Sequence, residues 1–248
     1  RSLLVIKDTT PPVILGVQDQ TVYQNSTISY RKNVTTSDNL GGKVTLEIDS
    51  SDVDLKTLGK YQVLYIATDE SGNKAEATAN VTVAVRPAGY VDEYTINELA
   101  DNVLAKIIND DMTDKEKLRA IFDYSRNHIA YTGYSDKSDW LQGAYRGFVK
   151  ANGDCFTYYA TARALLTRAG FQNMSVTRVA GTPTRHYWSL VLYDGGWYHF
   201  DTCLYRRGFP YECFLKTDAQ VAEYTERVQY YYEFDHSKFP ATPTEPIN

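Results

Sequence analysis

The hydrophobic period of this chain changes once, and that change limits what it can fold into. In Tyr61-Gln62-Val63-Leu64-Tyr65-Ile66-Ala67 and in Ala77-Thr78-Ala79-Asn80-Val81-Thr82-Val83, side-chain character alternates with period two, as on half-buried strands. Past residue 90 the spacing is helical: Ile96, Leu99, Val103, Leu104 and Ile107 follow the 3.6-residue repeat. The switch falls at Arg86-Pro87-Ala88-Gly89, whose proline and glycine read as a linker. A length of 248 residues suits two domains. We therefore place a first domain over residues 1–86 and a second over residues 90–248.

The first part reads as all-β. Besides the two runs above, β-rich segments occur at Val13-Ile14-Leu15, Thr27-Ile28-Ser29-Tyr30 and Val44-Thr45-Leu46-Glu47-Ile48. Turn signals separate them, among them Asp38-Asn39-Leu40-Gly41-Gly42 and Asp69-Glu70-Ser71-Gly72-Asn73. Short strands at this spacing predict a sandwich. Asp69 and Asn73 suggest a tight Asx-type turn rather than a Ca²⁺ site.

The second part reads as α+β, helices first and an antiparallel sheet after. Leu118, Ile121, Phe122 and Ser125 continue the helical period behind Thr113-Asp114-Lys115-Glu116, a capping-box pattern. A shorter helix is predicted from Trp140 to Val149, and another from Cys155 to Ala169, ended by Gly170. Strands follow at 175–180, 187–193 and 197–201, with Asp194-Gly195-Gly196 as a hairpin signal. Three prolines after residue 239 predict a frayed tail.

Charge and composition exclude several classes. Net charge is −5 and no Lys/Arg cluster appears, which argues against a nucleic-acid partner or an anionic membrane surface. No apolar run approaches the roughly 20 residues that span a bilayer, so no membrane insertion is expected within this chain. The chain opens on Arg1 rather than Met, and an upstream segment is expected to have been removed. Tyrosine is abundant, at 21 residues, and its even spread points to packing rather than to one binding surface. Three cysteines, Cys155, Cys203 and Cys213, leave at least one thiol free.

The chemistry-bearing residues fall in the second part. Gly153-Asp154-Cys155 puts a thiol where a glycine-containing loop enters a helix, and the exposed N–H groups there stabilise a thiolate. His186 stands at the start of a strand and can accept the thiol proton. Asp201 ends the next strand. If Asp194-Gly195 is a two-residue turn, Tyr193 pairs with Gly196, Trp188 with Asp201, and His186 with Cys203. These four then share one face, with His186 and Asp201 as diagonal neighbours about 7–8 Å apart at Cα. A three-residue loop would put them on opposite faces. One Cys, one His and one Asp without Cys-x-x-Cys or His-x-x-x-His give no closed metal site, so no metal is expected.

Two resemblances sharpen this. Asp8-Thr9-Thr10-Pro11-Pro12-Val13-Ile14, Gly59-Lys60-Tyr61-Gln62-Val63-Leu64-Tyr65 and Ala67-Thr68-Asp69-Glu70-Ser71-Gly72-Asn73 resemble a bacterial Ig-like domain over nearly all of residues 8–85. Gly153-Asp154-Cys155, His186-Tyr187-Trp188, Gly195-Gly196-Trp197-Tyr198 and Asp201-Thr202 resemble the transglutaminase-like superfamily, with Gly143-Ala144-Tyr145-Arg146-Gly147-Phe148 upstream and Phe214-Leu215-Lys216-Thr217-Asp218 downstream. This second resemblance spans about residues 95–240. The sequence departs from that pattern in Asp201-Thr202-Cys203, where Pro often follows the family's Asp, and in Phe200, which precedes it.

The resemblance implies an N-terminal Ig-like sandwich and a C-terminal papain-like domain, with helices packed on an antiparallel sheet. It implies a Cys155–His186–Asp201 triad acting on amide bonds through a thioester, as peptidase, amidase or protein-glutamine transamidase. Expected substrates are peptides, proteins or cell-wall peptides, with no cofactor, outside the cell or on its surface. The Cys155 N–H would serve an oxyanion hole with Trp140, Gln142 or Tyr145 as side-chain donor. Tyr158, Tyr187 and Trp188 are groove candidates, with core packing the competing role. Cys203 and Cys213 are left either as a disulfide pair or, if Cys203 faces His186, as a thiol beside the site. The competing functional reading is a non-catalytic surface module that reuses the fold for binding.

Overall fold

The computed structural model describes residues 8–204 and 207–247; residues 1–7 of the expected first domain and Asn248 of the second lie outside them. The chain separates into two compact units between Tyr90 and Val91.

The first unit holds strands β1 (Val13–Leu15), β2 (Gln20–Tyr23), β3 (Thr35–Ser37), β4 (Thr45–Asp49), β5 (Gly59–Thr68) and β6 (Lys74–Ala84). β2, β6, β5 and β4 form one sheet in that order, and β1 pairs with β3 in a second. The alternation in β5 and β6 points Val63, Tyr65, Ala79, Val81 and Val83 into a common core. The β-rich run at 27–30 is not a strand. Its apolar residues Ile28 and Tyr30 still pack on the core, and the Tyr30 carbonyl accepts the Tyr65 hydroxyl at 2.9 Å. Burial there is served without a ladder. β2 escaped the sequence because Gln20-Thr21-Val22-Tyr23 carries a weak pattern; it is recruited by parallel pairing with β6. The Asp69 carboxylate accepts from the Ser71 and Asn73 amides at 2.9 and 2.8 Å, the Asx-type turn expected between β5 and β6. Asp8 and Asp38 also bring carboxylate oxygens to within 4.8 Å of it.

The second unit begins with α1 (Glu93–Ile107) and α2 (Asp114–His128). α2 opens on the expected capping box, Thr113 and Glu116 each bonding the other's backbone. β7 (Ala130–Tyr131), α3 (Trp140–Tyr145), a π-helical turn at Arg146–Lys150 and β8 (Asn152–Gly153) lead into α4 (Cys155–Arg168). Gly170 then leaves α4 with φ 87°, a left-handed stop that needs no Cβ. α4 is buried nearly all round, from Phe156 through Leu166, as a central helix must be. Ala160, Ala162 and Ala164 keep it thin enough for neighbours on both sides.

The sheet consists of β9 (Asn173–Thr177), β10 (Tyr187–Tyr193), β11 (Gly196–Asp201) and β12 (Cys213–Lys216), in spatial order β12-β11-β10-β9 and antiparallel throughout. Helices α1, α2 and α4 cover one face with Leu118, Phe122, Leu165, Val191 and Phe200 between them. α5 (Asp218–Arg227) packs with Trp188, Leu190 and Cys213. The tail expected to fray is held instead. Thr242 Oγ1 accepts the Asp218 amide at 2.6 Å, Ile247 packs on the core, and Pro243 stands where a Cβ on Gly196 would go. No helix among the described residues is long and apolar enough to cross a membrane.

Candidate active site

Cys155 is the first residue of α4. Its approach is fixed by the parallel β7–β8 pair and by the Thr132 amide, which donates to the Gly153 carbonyl at 2.7 Å. Gly153 runs so close to α4 that a Cβ there would collide with the Thr157 side chain. Asp154 caps the helix through the Phe156 amide at 3.1 Å. A carboxylate beside the nucleophile would oppose a thiolate, but Asp154 is also bound by Ser135 at 2.6 Å and paired with Lys137. Burial pushes the Asp154 carboxyl up, and these partners more than offset that, so it stays below the usual carboxylate range. The charge of Asp154 is thus neutralised locally, leaving the helix-end N–H groups to act on the sulfur.

The hairpin supplies the other two groups. β10 and β11 pair Tyr193 with Gly196, Leu192 with Trp197 and Ser189 with Phe200, the register expected from a two-residue turn. Asp194 and Gly195 have φ 48° and 76°, as a type I′ turn demands. This register brings His186 and Asp201 to one face, with Nε2 to Oδ2 at 2.7 Å. Nε2 is thereby committed to Asp201, and Nδ1 is the nitrogen left for the Cys155 sulfur. The sulfur itself lies 3.7 Å from the Arg185 carbonyl, against the segment that leads to His186.

Burial pushes the His186 ring toward neutrality. The charge and hydrogen bond of Asp201 outweigh this, helped by hydrogen bonding with the Cys155 sulfur and by its charge, and the pKa is pushed up to about 9. The arrangement therefore favours the charged form of the His186 ring. Asp201 ends β11 yet lies deep in the domain. It is 3% exposed and also accepts the Tyr232 hydroxyl at 2.9 Å and the Cys203 amide at 2.9 Å.

Tyr232 and Tyr231 were not found by sequence reasoning. Both come from the segment after α5, and the Tyr231 ring packs 4.8 Å from that of His186. The only signal was the run Tyr230-Tyr231-Tyr232, hidden among 21 tyrosines. Arg178 was missed as well. It donates to the Tyr231 carbonyl from Nε and Nη2, at 3.0 and 2.8 Å, and to Thr184 from Nη1, so it ties both walls of the site together.

Several expected residues take other roles than the ones expected of them. Tyr158 and Trp188 are 0% exposed and can touch no substrate. Tyr158 donates to the Ile129 carbonyl, and the Trp188 indole donates to His199 Nδ1 at 2.9 Å while backing the His186 ring. His199 in turn bonds Asp218 at 2.8 Å, a second His–Asp pair that braces the sheet. Tyr187 stays near the site: half-buried, it packs against Phe156 and Tyr159 and against the cluster that holds Cys155 and Cys203. Trp140 sits under the Arg163 guanidinium, 4.1 Å from its ring centroid. Neither it nor Gln142 nor Tyr145 lines the cleft at Cys155, because α3 packs on the flank of α4 away from that opening. Cys203 and Cys213 are both free rather than disulfide-bonded. Cys213 pairs across the ladder with Asp201, whereas Cys203 lines the cleft with Cys155. Burial, with Asp201 nearby, pushes both thiols well above the ordinary range, which keeps them protonated.

Comparison with known families follows the same division. The sequence model of the transglutaminase-like superfamily matches residues 101–202, a span that includes Cys155, His186 and Asp201. The second unit is a transglutaminase-like domain. The first unit matches the Ig-like domain of bacterial surface proteins over residues 14–83. Among solved structures, one described as a TGase is 17% identical, covering 52% of this chain and 37% of its own, with TM-score 0.41. The chain thus spans little more than a third of that protein. A candidate cysteine protease from Cytophaga hutchinsonii is 18% identical over 64% of each chain, with TM-score 0.36. A Clostridium perfringens ZmpB structure containing CBM51-2 and INT domains is 22% identical over 30% of this chain and 17% of its own, with TM-score 0.26. No curated protein matches the sequence.

Proposed function

We propose that the transglutaminase-like domain is a cysteine acyl-transfer enzyme acting on amide bonds, with Cys155 as nucleophile, His186 as general base and acid, and Asp201 as the group that orients the ring. The observation carrying this is His186, buried and bonded to Asp201 through Nε2, with the sulfur of the cysteine that opens α4 against the segment before it. The thiolate attacks the carboxamide carbon, with the Cys155 N–H as one oxyanion donor. The C–N bond breaks as His186 gives its proton to the departing amine, leaving a thioester on the sulfur. Water then adds with His186 taking its proton, which releases a carboxylic acid and restores the thiol. An amine in place of water gives a new amide.

Cys155 and His186 line a cleft of about 460 Å³, which admits a peptide side chain or terminus. The likeness of the first unit to Ig-like domains of bacterial surface proteins supports an extracellular or surface setting. A binding module has no need for a buried His–Asp pair beside a helix-end cysteine. The test is alkylation by iodoacetamide at pH 6, followed on the Cys155 peptide by mass spectrometry. An ordinary thiol with pKa near 8.5 is almost wholly protonated there. Cys155 is expected to react on the order of 10²-fold faster than N-acetylcysteine. No acceleration would remove the reading.

A further inference from the structure

The cleft over Cys155 carries charge that the acyl-transfer steps do not use. Among the described residues its wall includes Arg178, Arg185 and Arg207 and no carboxylate. This stands out in a chain of net charge −5. None of the three forms an ion pair among the described residues, whereas Arg168 pairs with Asp101 and Arg119 with Glu212. A larger cavity of about 740 Å³ beside α2 and β12 shows the contrasting case. There Lys115, Arg119 and Lys216 face Glu116, Asp123 and Glu212, so its charges compensate one another.

The catalytic groups do not account for the excess. With the Asp201 carboxylate, a thiolate and an imidazolium carry one net negative charge, which acts on Arg178, and the two rim guanidinium groups are left over. Arg178 is half-buried and fixed by four hydrogen bonds to the Tyr231 carbonyl and to Thr184, all uncharged acceptors. These bonds orient the guanidinium without offsetting its charge. Arg185 directly precedes His186, and both Arg185 and Arg207 are exposed at the rim, where their side chains can close on a ligand. A planar guanidinium fork matches a carboxylate.

We propose that this cleft selects a carboxylate-bearing amide, the carboxylate being held by Arg185 and Arg207 in the field of the fixed Arg178 while Cys155 acts on the neighbouring carboxamide. The inference rests on the acyl-transfer reading, and the bonds made and broken are those given there. The carboxylate is that of an acidic side chain or of a free chain end, and the chemistry recognised is the same.

The probe is the rate of Cys155 alkylation in the full chain by anionic iodoacetate against neutral iodoacetamide, with N-acetylcysteine as reference. The iodoacetate-to-iodoacetamide ratio should exceed that of N-acetylcysteine by about tenfold at low salt, and fall toward it in about 0.5 M NaCl. In Arg185→Gln/Arg207→Gln the ratio should drop about fivefold. N-acetyl-Ala-Ala, N-acetyl-Glu-Ala amide and N-acetyl-Ala-Ala amide then compete with iodoacetamide. Protection by the first supports a terminal carboxylate, by the second a side-chain carboxylate. Protection by neither, or equal protection by the neutral third peptide, overturns the proposal. So does rapid iodoacetamide labelling with a ratio equal to that of N-acetylcysteine. Slow reaction with both reagents instead removes the acyl-transfer reading, and the substrate class with it.

Discussion

Replacing Asp201 by Asn tests the proposed mechanism at the point where the geometry is most specific. The change keeps size and removes charge. Raising the His186 pKa from 6.5 to about 9 corresponds to on the order of 3 kcal/mol in favour of the charged ring, at about 1.4 kcal/mol per tenfold. Burial acts against the charge, so without Asp201 the ring falls back toward neutrality. Asn also presents an amide N–H₂ to Nε2 or loses that contact, which favours the tautomer with its proton on Nδ1, the nitrogen that should accept from Cys155. Losing about 3 kcal/mol corresponds to a fall of about 10²-fold in alkylation rate at pH 6–7, with the rate rising only at higher pH. The assay is iodoacetamide labelling of Cys155 from pH 5 to 10 in both proteins. Asp201 also accepts from Tyr232 and the Cys203 amide, so a cost of about 1–3 kcal/mol in stability should accompany the change, seen as a melting point lower by roughly 5 °C. An unchanged pH profile in a folded Asp201→Asn protein would refute the role given to the carboxylate and leave at most a Cys–His pair.

Tyr232→Phe removes one donor to Asp201 and should lower the labelling rate near pH 6.5 by about threefold to tenfold, with a stability loss of about 1 kcal/mol by urea denaturation. Gly153→Ala forces a Cβ against Thr157 and should cost about 1–3 kcal/mol while slowing Cys155 labelling, since the displaced loop carries the nucleophile. Thermal melts against pH should fall on both sides. His186 is raised, so its contribution is full below about 6.5 and is lost as pH rises through about 9. Burial lowers His199 despite its Asp218 partner, so its contribution is present above about 6.5 and is lost as pH falls below that value.

The parts of this molecule visible in its sequence were those with a local cause. The α2 capping box, the Gly170 stop and the Asp194-Gly195 turn each fix a few bonds within a few residues, and each stands where the pattern put it. From that turn, the period-two rule carried His186 and Asp201 to one face without any tertiary information. The misread parts are those where a distant partner decides. Ile28 and Tyr30 look like strand residues and are core residues in irregular backbone. Trp188 looks like a groove residue and is closed off by His199, Tyr232 and Phe234. The tail has the composition of a frayed end, yet Thr242 meets Asp218, a contact separated by 24 residues and invisible to local pattern.

The same distinction explains why a sequence motif alone underdescribes the site. Cys155, His186 and Asp201 come from one helix start and one hairpin, but the pair His186–Asp201 is completed from outside both. Tyr232 donates to the carboxylate, Tyr231 covers the imidazole ring, and Arg178 binds the Tyr231 carbonyl and Thr184 together. These contacts span 53 residues between Arg178 and Tyr231, and 31 between Asp201 and Tyr232. A buried carboxylate near an imidazole would be costly if its remaining lone pairs lacked donors. Tyr232 and the Cys203 amide supply them, which lets Asp201 sit buried beside His186. The triad positions are therefore set by short-range rules, and the environment that tunes them by the segment after α5. A transglutaminase-like sequence with the three motifs intact and that segment altered should keep its fold and register yet hold Asp201 and the His186 ring less firmly, which makes residues 229–234 the place to look when the motifs are present and the thiol is unreactive.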